Sequence, residues 1–230
     1  MAKVVAIIPA AGTGKRMGAG ISKQFLHLNN KPILAHTLTV FEECVFVDSI
    51  IVAVHPAEIE YCRKEIVERF KLKKVTGIIE GGEERQDSVR NALYSACKSY
   101  DIAVIHDSVR PFVSQLIIKR SIDAAEKNGA SVVCVPVKDT IKEVSEGYVI
   151  RTFDRKRLWA VQTPQTFKME IIKTAHDRAL KNSIKTTDDA SLVEMMGYKV
   201  KIVEGSYDNI KITTPEDLII GEAIHPFTKL

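Results

Sequence analysis

Val4-Val5-Ala6-Ile7-Ile8-Pro9 followed at once by Ala10-Ala11-Gly12-Thr13-Gly14-Lys15-Arg16-Met17-Gly18 is the stretch that decides the fold. The first six residues read as a buried strand. The glycine-broken segment behind it reads as a loop whose small residues let backbone N–H groups approach a phosphate chain. Arg16, and Lys23 in Ser22-Lys23-Gln24-Phe25, add full positive charges beside those dipoles. The loop is neither common phosphate motif. A G-x-G-x-x-G fingerprint needs glycine at 17, where Met17 stands, and no register supplies G-x-x-x-x-G-K-[ST]. Glycines alone also make a plain tight turn; the two cations point to a triphosphate.

Working outward, helical and strand patterns alternate. Residues 32–43 read as a helix opened by Pro32, 49–54 as a strand, 58–70 as a helix and 75–80 as a strand. Residues 87–98 are helical, 102–106 a strand, 114–128 a helix and 131–135 a strand. Apolar strands alternating with helices predict an α/β fold, a parallel sheet covered on both faces. Ligands of such sheets bind beyond the carboxyl ends of the strands. The glycine loop, Gly81-Gly82 and His106-Asp107 all fall there. Residues 140–145 and 148–153 then read as a hairpin around Ser145-Glu146-Gly147. A lone hairpin is marginal in water, so this one packs on its own domain or on another subunit. Helical patterns return at 168–182 and 188–196, with a strand at 198–203. Residues 158–165 read as a return loop behind the arm. Thr214 caps a last helix with Pro215 at its first position.

Composition sets the bounds. A chain of 230 residues with a 45% hydrophobic share makes one large domain, or one domain with an appendage. A net charge of +4, from 33 basic and 29 acidic residues, is too balanced to argue for nucleic acid. Cys44, Cys62, Cys97 and Cys134 lack metal-ligand spacing and read as buried reduced thiols. No signal peptide and no membrane-length apolar stretch is seen, so the expected compartment is the cytoplasm. His106 reads as a structural histidine, and Asp189 as part of a plain helix start.

The loop A-A-G-x-G-x-R-M with a K-Q pair downstream resembles the sugar-alcohol phosphate cytidylyltransferases, and is most similar to the 2-C-methyl-D-erythritol 4-phosphate cytidylyltransferase family. Glu80-Gly81-Gly82-Glu83-Glu84-Arg85-Gln86-Asp87-Ser88-Val89 matches that family's G-G-x-x-R-x-x-S-V motif. Two departures stand out: Ser22 sits where the family usually has proline, and Ser108-Val109 where it has alanines.

The resemblance implies a Rossmann-like three-layer nucleotidyltransferase fold with a mostly parallel sheet. It also implies one domain over 1–230 and a protruding β-arm at about 137–155 through which a homodimer forms. Ala10, Ala11, Gly12, Gly14, Gly82, Glu83, Ser88 and Asp107 would hold the nucleotide, with Ser88 reaching the base through its hydroxyl. Arg16, Lys23, Arg155 and Lys211 would be catalytic. Arg110, Thr140, Arg155, Thr163, Thr187 and Lys211 would hold the acceptor, with Thr140 and Arg155 acting across the dimer. Asp107 suits Mg²⁺ or another divalent cation, which prefers a carboxylate or two plus substrate phosphates. Asp208 either adds a second metal contact or only holds its turn.

The implied reaction moves CMP from CTP to 2-C-methyl-D-erythritol 4-phosphate, in the non-mevalonate route to isoprenoid precursors. It needs no protein nucleophile and no general base, because a phosphate monoester with a second pKa of about 6 is already a dianion near neutral pH. The nearest alternative is ribitol 5-phosphate cytidylyltransferase, which shares most of these motifs. A remoter one is a non-catalytic nucleotide-binding protein; its mark would be loss of Arg16, Lys23 or Asp107, and all three are present. Neither nucleic acid nor membrane is expected as a partner.

Overall fold

A computed structural model describes residues 2–12, 22–96 and 99–224. Gly14 and Arg16 of the glycine loop, and Cys97, lie outside the described residues. The chain opens with β1 (Val4–Ala10), a short β2–β3 ribbon (His27–Leu28, Lys31–Pro32) and α1 (Ile33–Glu43). β4 (Ser49–Val54) leads into α2 (Ile59–Tyr61), which continues as a π-helical stretch over Cys62–Glu68. Then follow β5 (Val75–Glu80), α3 (Arg85–Ser95), β6 (Ile102–Ile105), α4 (Gln115–Asn128) and β7 (Ala130–Pro136). The hairpin is β8 (Lys142–Ser145) and β9 (Tyr148–Thr152). β10 (Trp159–Lys168), α5 (Met169–Lys181), α6 (Asp189–Glu194), β11 (Lys201–Glu204) and α7 (Pro215–Ile224) complete the chain.

Seven strands form one sheet in the order β11-β7-β10-β6-β1-β4-β5. β1 pairs in parallel with β4 and β6, β4 with β5, and β7 with β11. β10 alone runs antiparallel, between β6 and β7. The expected mostly parallel α/β sheet is therefore present. Successive β1 residues face opposite layers, as the two-residue period requires. Val4, Ala6 and Ile8 pack with Leu34, Leu38 and Phe41 of α1 and Ile118 of α4. Val5 and Ile7 pack with Val89 and Leu93 of α3 and Ile172 of α5. Both layers are built of buried apolar side chains, and truncating such a side chain to alanine generally costs about 2–5 kcal/mol.

The expected return loop at 158–165 is instead the first part of the ten-residue β10. Its pairing with β7 slips between Val161, opposite Cys134, and Gln165, opposite Val132. Gln162, Thr163 and Pro164 sit in that irregularity, where a strand tolerates proline and re-aims its side chains. The expected helix at 188–196 is shorter, and the strand expected from 198 begins at Lys201. At the hairpin tip Glu146 and Gly147 both have positive φ, as a two-residue type I′ turn demands.

Candidate active site

β1 and β6 are neighbours although β4 and β5 lie on the other side of β1. The chain changes direction across the sheet there, which opens a crevice beyond the carboxyl ends. Two cavities meet in it. One takes its lining from Ala11, Gly12, Lys23, Gly82, Glu83 and Ser88. The other is lined by Arg110, Thr163, Thr187 and Asp188, among others. Arg85, Asp107 and Lys211 line both.

On the first side the K-Q pair divides its work. Gln24 is buried and donates from Nε2 to the Ala10 carbonyl at 2.6 Å. That bond pins the 3₁₀ turn Lys23–Phe25 to the end of β1 and leaves Lys23 on the cavity wall. Ser22, in the place of the usual proline, donates its hydroxyl to Glu58 and gives the turn a second tether. Across the cavity Gly81 has no room for a side chain: a Cβ would stand 2.3 Å from the Ala11 Cβ. Ser88 lines the cavity, but its hydroxyl is engaged locally. It accepts from Gly82 N at 3.0 Å and donates to the Glu84 carbonyl. Asp87 accepts from Glu84 N and closes the α3 cap.

At the junction Asp107 is 7% exposed and ringed by cations. Arg85 Nε reaches Oδ1 at 3.1 Å, and Lys211 Nζ and Arg110 Nε reach Oδ2 at 3.0 and 3.4 Å. Burial pushes its carboxyl up, but Arg85, then Lys211 and Arg110, more than offset this and hold it well below the usual carboxylate range. Arg110 is itself fixed by a 2.7 Å bond from Nη1 to the Asn209 carbonyl. Asn209 Nδ2 donates to the Thr163 carbonyl and to Gln162 Oε1, and Gln162 Nε2 donates to the Ser206 carbonyl. The irregular part of β10 thus pins the loop that delivers Lys211.

The Thr163 hydroxyl accepts from Asp107 N at 3.0 Å and meets His106 Nδ1 at 3.1 Å. His106 Nε2 lies 3.0 Å from the Arg110 carbonyl, which can only accept. Nε2 therefore carries the proton, Nδ1 accepts, and the Thr163 hydroxyl donates to it. Thr163 lines the second cavity and, through this chain of bonds, also holds the turn carrying Asp107 and Arg110. His106 is structural, as expected.

Other expected residues are not brought together. Asp208 is exposed and lines neither cavity. Its backbone N–H meets Ser206 Oγ and its carbonyl accepts from Ile210 N, so it holds its turn. Thr140 and Arg155 lie exposed at the arm, and Arg155 donates to the Lys138 carbonyl at 2.7 Å. Neither lines either of the two cavities described above. Asp189 proves more than a helix start: it is buried and ion-paired to Arg85 at 2.6 Å. Among the described residues no group of three or more His, Cys, Asp or Glu side chains could hold a metal alone. Cys44, Cys62 and Cys134 are buried, as expected, and burial pushes the Cys62 thiol up to about 12.

Residues 4–226 match the family model described as 2-C-methyl-D-erythritol 4-phosphate cytidylyltransferase. The chain belongs to that family. The cytidylyltransferase of Geotalea uraniireducens (strain Rf4) is 52% identical over 223 residues, 96% of each chain. Among solved structures, the 4-diphosphocytidyl-2C-methyl-D-erythritol synthase of Anaerococcus prevotii DSM 20548 superposes with a TM-score of 0.86 at 31% identity, covering 98% of this chain and 96% of that one. The 2-C-methyl-D-erythritol 4-phosphate cytidylyltransferase of Thermus thermophilus gives 0.81 at 32% identity, covering 99% of this chain and all of that one. The mostly parallel α/β sheet that the resemblance implies is thus the fold of this cytidylyltransferase family.

One pH dependence follows from the buried histidine. Burial pushes the His106 imidazole down to about 4, only partly offset by the Arg110 carbonyl and Asp107. An unfolded histidine titrates near 6.5. Between the two values the unfolded chain binds more protons, so stability is full above the window and lost as pH falls through it, by about 3 kcal/mol in total. Urea unfolding from pH 7 to pH 4 should show this decline, and His106→Gln should flatten it. An unchanged slope in that variant would assign the decline to other groups.

Proposed function

We propose that this cytidylyltransferase moves CMP from CTP to 2-C-methyl-D-erythritol 4-phosphate in the MEP pathway, giving 4-diphosphocytidyl-2-C-methyl-D-erythritol and pyrophosphate. Family membership over nearly the whole chain carries the reading. It is supported by a cationic junction, Arg85–Asp107–Lys211 with Arg110, where a glycine-lined cavity meets a second one. A phosphate oxygen of the acceptor attacks the α-phosphorus of CTP, and the bond to the β-phosphate oxygen breaks. The reaction asks mainly for anions held in line and for charge to be dispersed in the transition state. Arg110 and Lys211 meet the acceptor phosphate, and Thr187 borders the acceptor. Lys23 and the Ala11–Gly12 backbone face the triphosphate, and the loop motif assigns Arg16 to it as well.

Asp107 fits a divalent cation such as Mg²⁺. Its neighbours keep it ionised, and among the described residues Oδ1 carries a single ion pair, which leaves a lone pair. Such an ion, when bound, neutralises phosphate charge. Asp107 with the substrate's phosphates would hold it, and Asp208 is left to its turn.

The arm supports a homodimer. Val144, Tyr148, Val149 and Ile150 are all more than half exposed on a two-stranded ribbon. An apolar ribbon of that kind needs a surface to pack on. Arg155 and Thr140, which line neither of those two cavities, then serve the partner's site. No helix among the described residues is long and apolar enough to cross a membrane. Use of CTP and reduced buried thiols favour the cytoplasm.

Pyrophosphate release, with CTP and Mg²⁺ and with methylerythritol 4-phosphate and ribitol 5-phosphate in parallel, should show strong preference for the first. Preference for ribitol phosphate would overturn the substrate assignment and keep the chemistry. Lys23→Ala should fold normally and lose turnover by roughly 10²-fold or more, as removal of a preorganised charge does; near-normal turnover would remove Lys23 from the site. Sedimentation should give a dimer, and an active monomer would refute the role of the arm.

A further inference from the structure

The sequence motif that carries Arg85 assigns it no task, yet its guanidinium stands between two carboxylates at the meeting of both cavities. Arg85 Nη1 lies 2.6 Å from Asp189 Oδ2, and Nε lies 3.1 Å from Asp107 Oδ1. Asp189 is buried on α6 and lines neither cavity, and His176 Nε2 of α5 meets its other oxygen at 3.1 Å. The backbone around Asp189 is fixed as well. Gln165 Oε1, from β10, accepts from Asp189 N and Ala190 N at 3.0 and 2.9 Å. Gln165 Nε2 donates to Asp188 at 2.9 Å.

We propose that Asp189, braced by His176 and Gln165, orients Arg85, and that Arg85 thereby sets the direction of the Asp107 carboxylate; Arg85 is a positioning residue for cytidylyl transfer. This rests on the functional reading above. Two features separate it from a role in stability alone. Desolvation cancels much of what a buried ion pair contributes, so stability is a poor reason for this one. Moreover, Arg85 keeps 28% of its side chain exposed on the cavity walls. A planar guanidinium held at two nitrogens has a fixed plane, which an ammonium cannot offer. With Oδ1 of Asp107 held by that plane, Oδ2 is left directed at Arg110 and Lys211.

The experiment compares wild type, Arg85→Lys, Arg85→Gln, Asp189→Asn and the double variant Arg85→Gln/Asp189→Asn. Turnover and KM are read by pyrophosphate release, CTP affinity by calorimetry and folding by thermal melts. Arg85→Lys and Asp189→Asn should each lower kcat by roughly 10- to 100-fold, the scale of a small misplacement of reacting groups. Calorimetric CTP affinity should stay near wild type. Asp189→Asn should cost nothing further in the Arg85→Gln background, because residues that act through one another are not additive. A folded Arg85→Lys with wild-type kcat would overturn the proposal, even if Asp189→Asn fails to fold. So would an Asp189→Asn loss of equal size in both backgrounds. A wild type that binds CTP but releases no pyrophosphate would overturn the assigned reaction and this relay together.

Discussion

Asp107 brings one negative charge to a place where three cationic side chains of the described residues converge, one of them shared with Asp189, and the rest of the site is arranged around that imbalance. A lone buried carboxylate would be expensive, and so would three unopposed cations. Together they are tolerable, and they leave an excess of positive charge at the crevice. That excess suits a reaction whose two substrates are both polyanions. Each cation comes from a different part of the chain: Arg85 from the start of α3, Arg110 from the turn after β6, Lys211 from the loop after β11. The sheet is what makes them neighbours.

β10 turns that convergence into fixed geometry. Its Gln162 and Thr163 reach the loop before α7 and the turn after β6, while Gln165 reaches the start of α6. A regular strand would point these side chains alternately into the two apolar layers. The irregular pairing with β7 redirects them toward the crevice. Tertiary packing therefore uses the least hydrophobic part of the sheet as its polar organiser.

Much of this was legible in the sequence and some was not, for physical reasons. The apolar runs of β1, β4 and β6 announce buried parallel strands, and the glycines after β1 and β5 with the aspartate after β6 announce the crevice. The hairpin is readable from the short glycine-containing loop Ser145-Glu146-Gly147, and its turn type comes from the structure. β10 was hidden because Gln162-Thr163-Pro164-Gln165 has the polarity of a loop and a proline inside it, and its pairing partners are distant in sequence. Arg85 was quoted in its motif without a role because its partners lie 22 and 104 residues away. Asp189 resembled a helix start because it is one; its burial beside Arg85 is a property of the fold. The π-helical geometry of Cys62–Glu68 has the same periodic signature as an ordinary helix at this length.

The chain leaves the sheet at Pro136 and returns at Trp159, and these two residues face each other in adjacent strands. The arm is therefore a closed excursion whose exit and return are one strand-spacing apart. Its length and composition are invisible to the register of the sheet. Residues can be added or removed between those two points without shifting the pairing of β7 with β10.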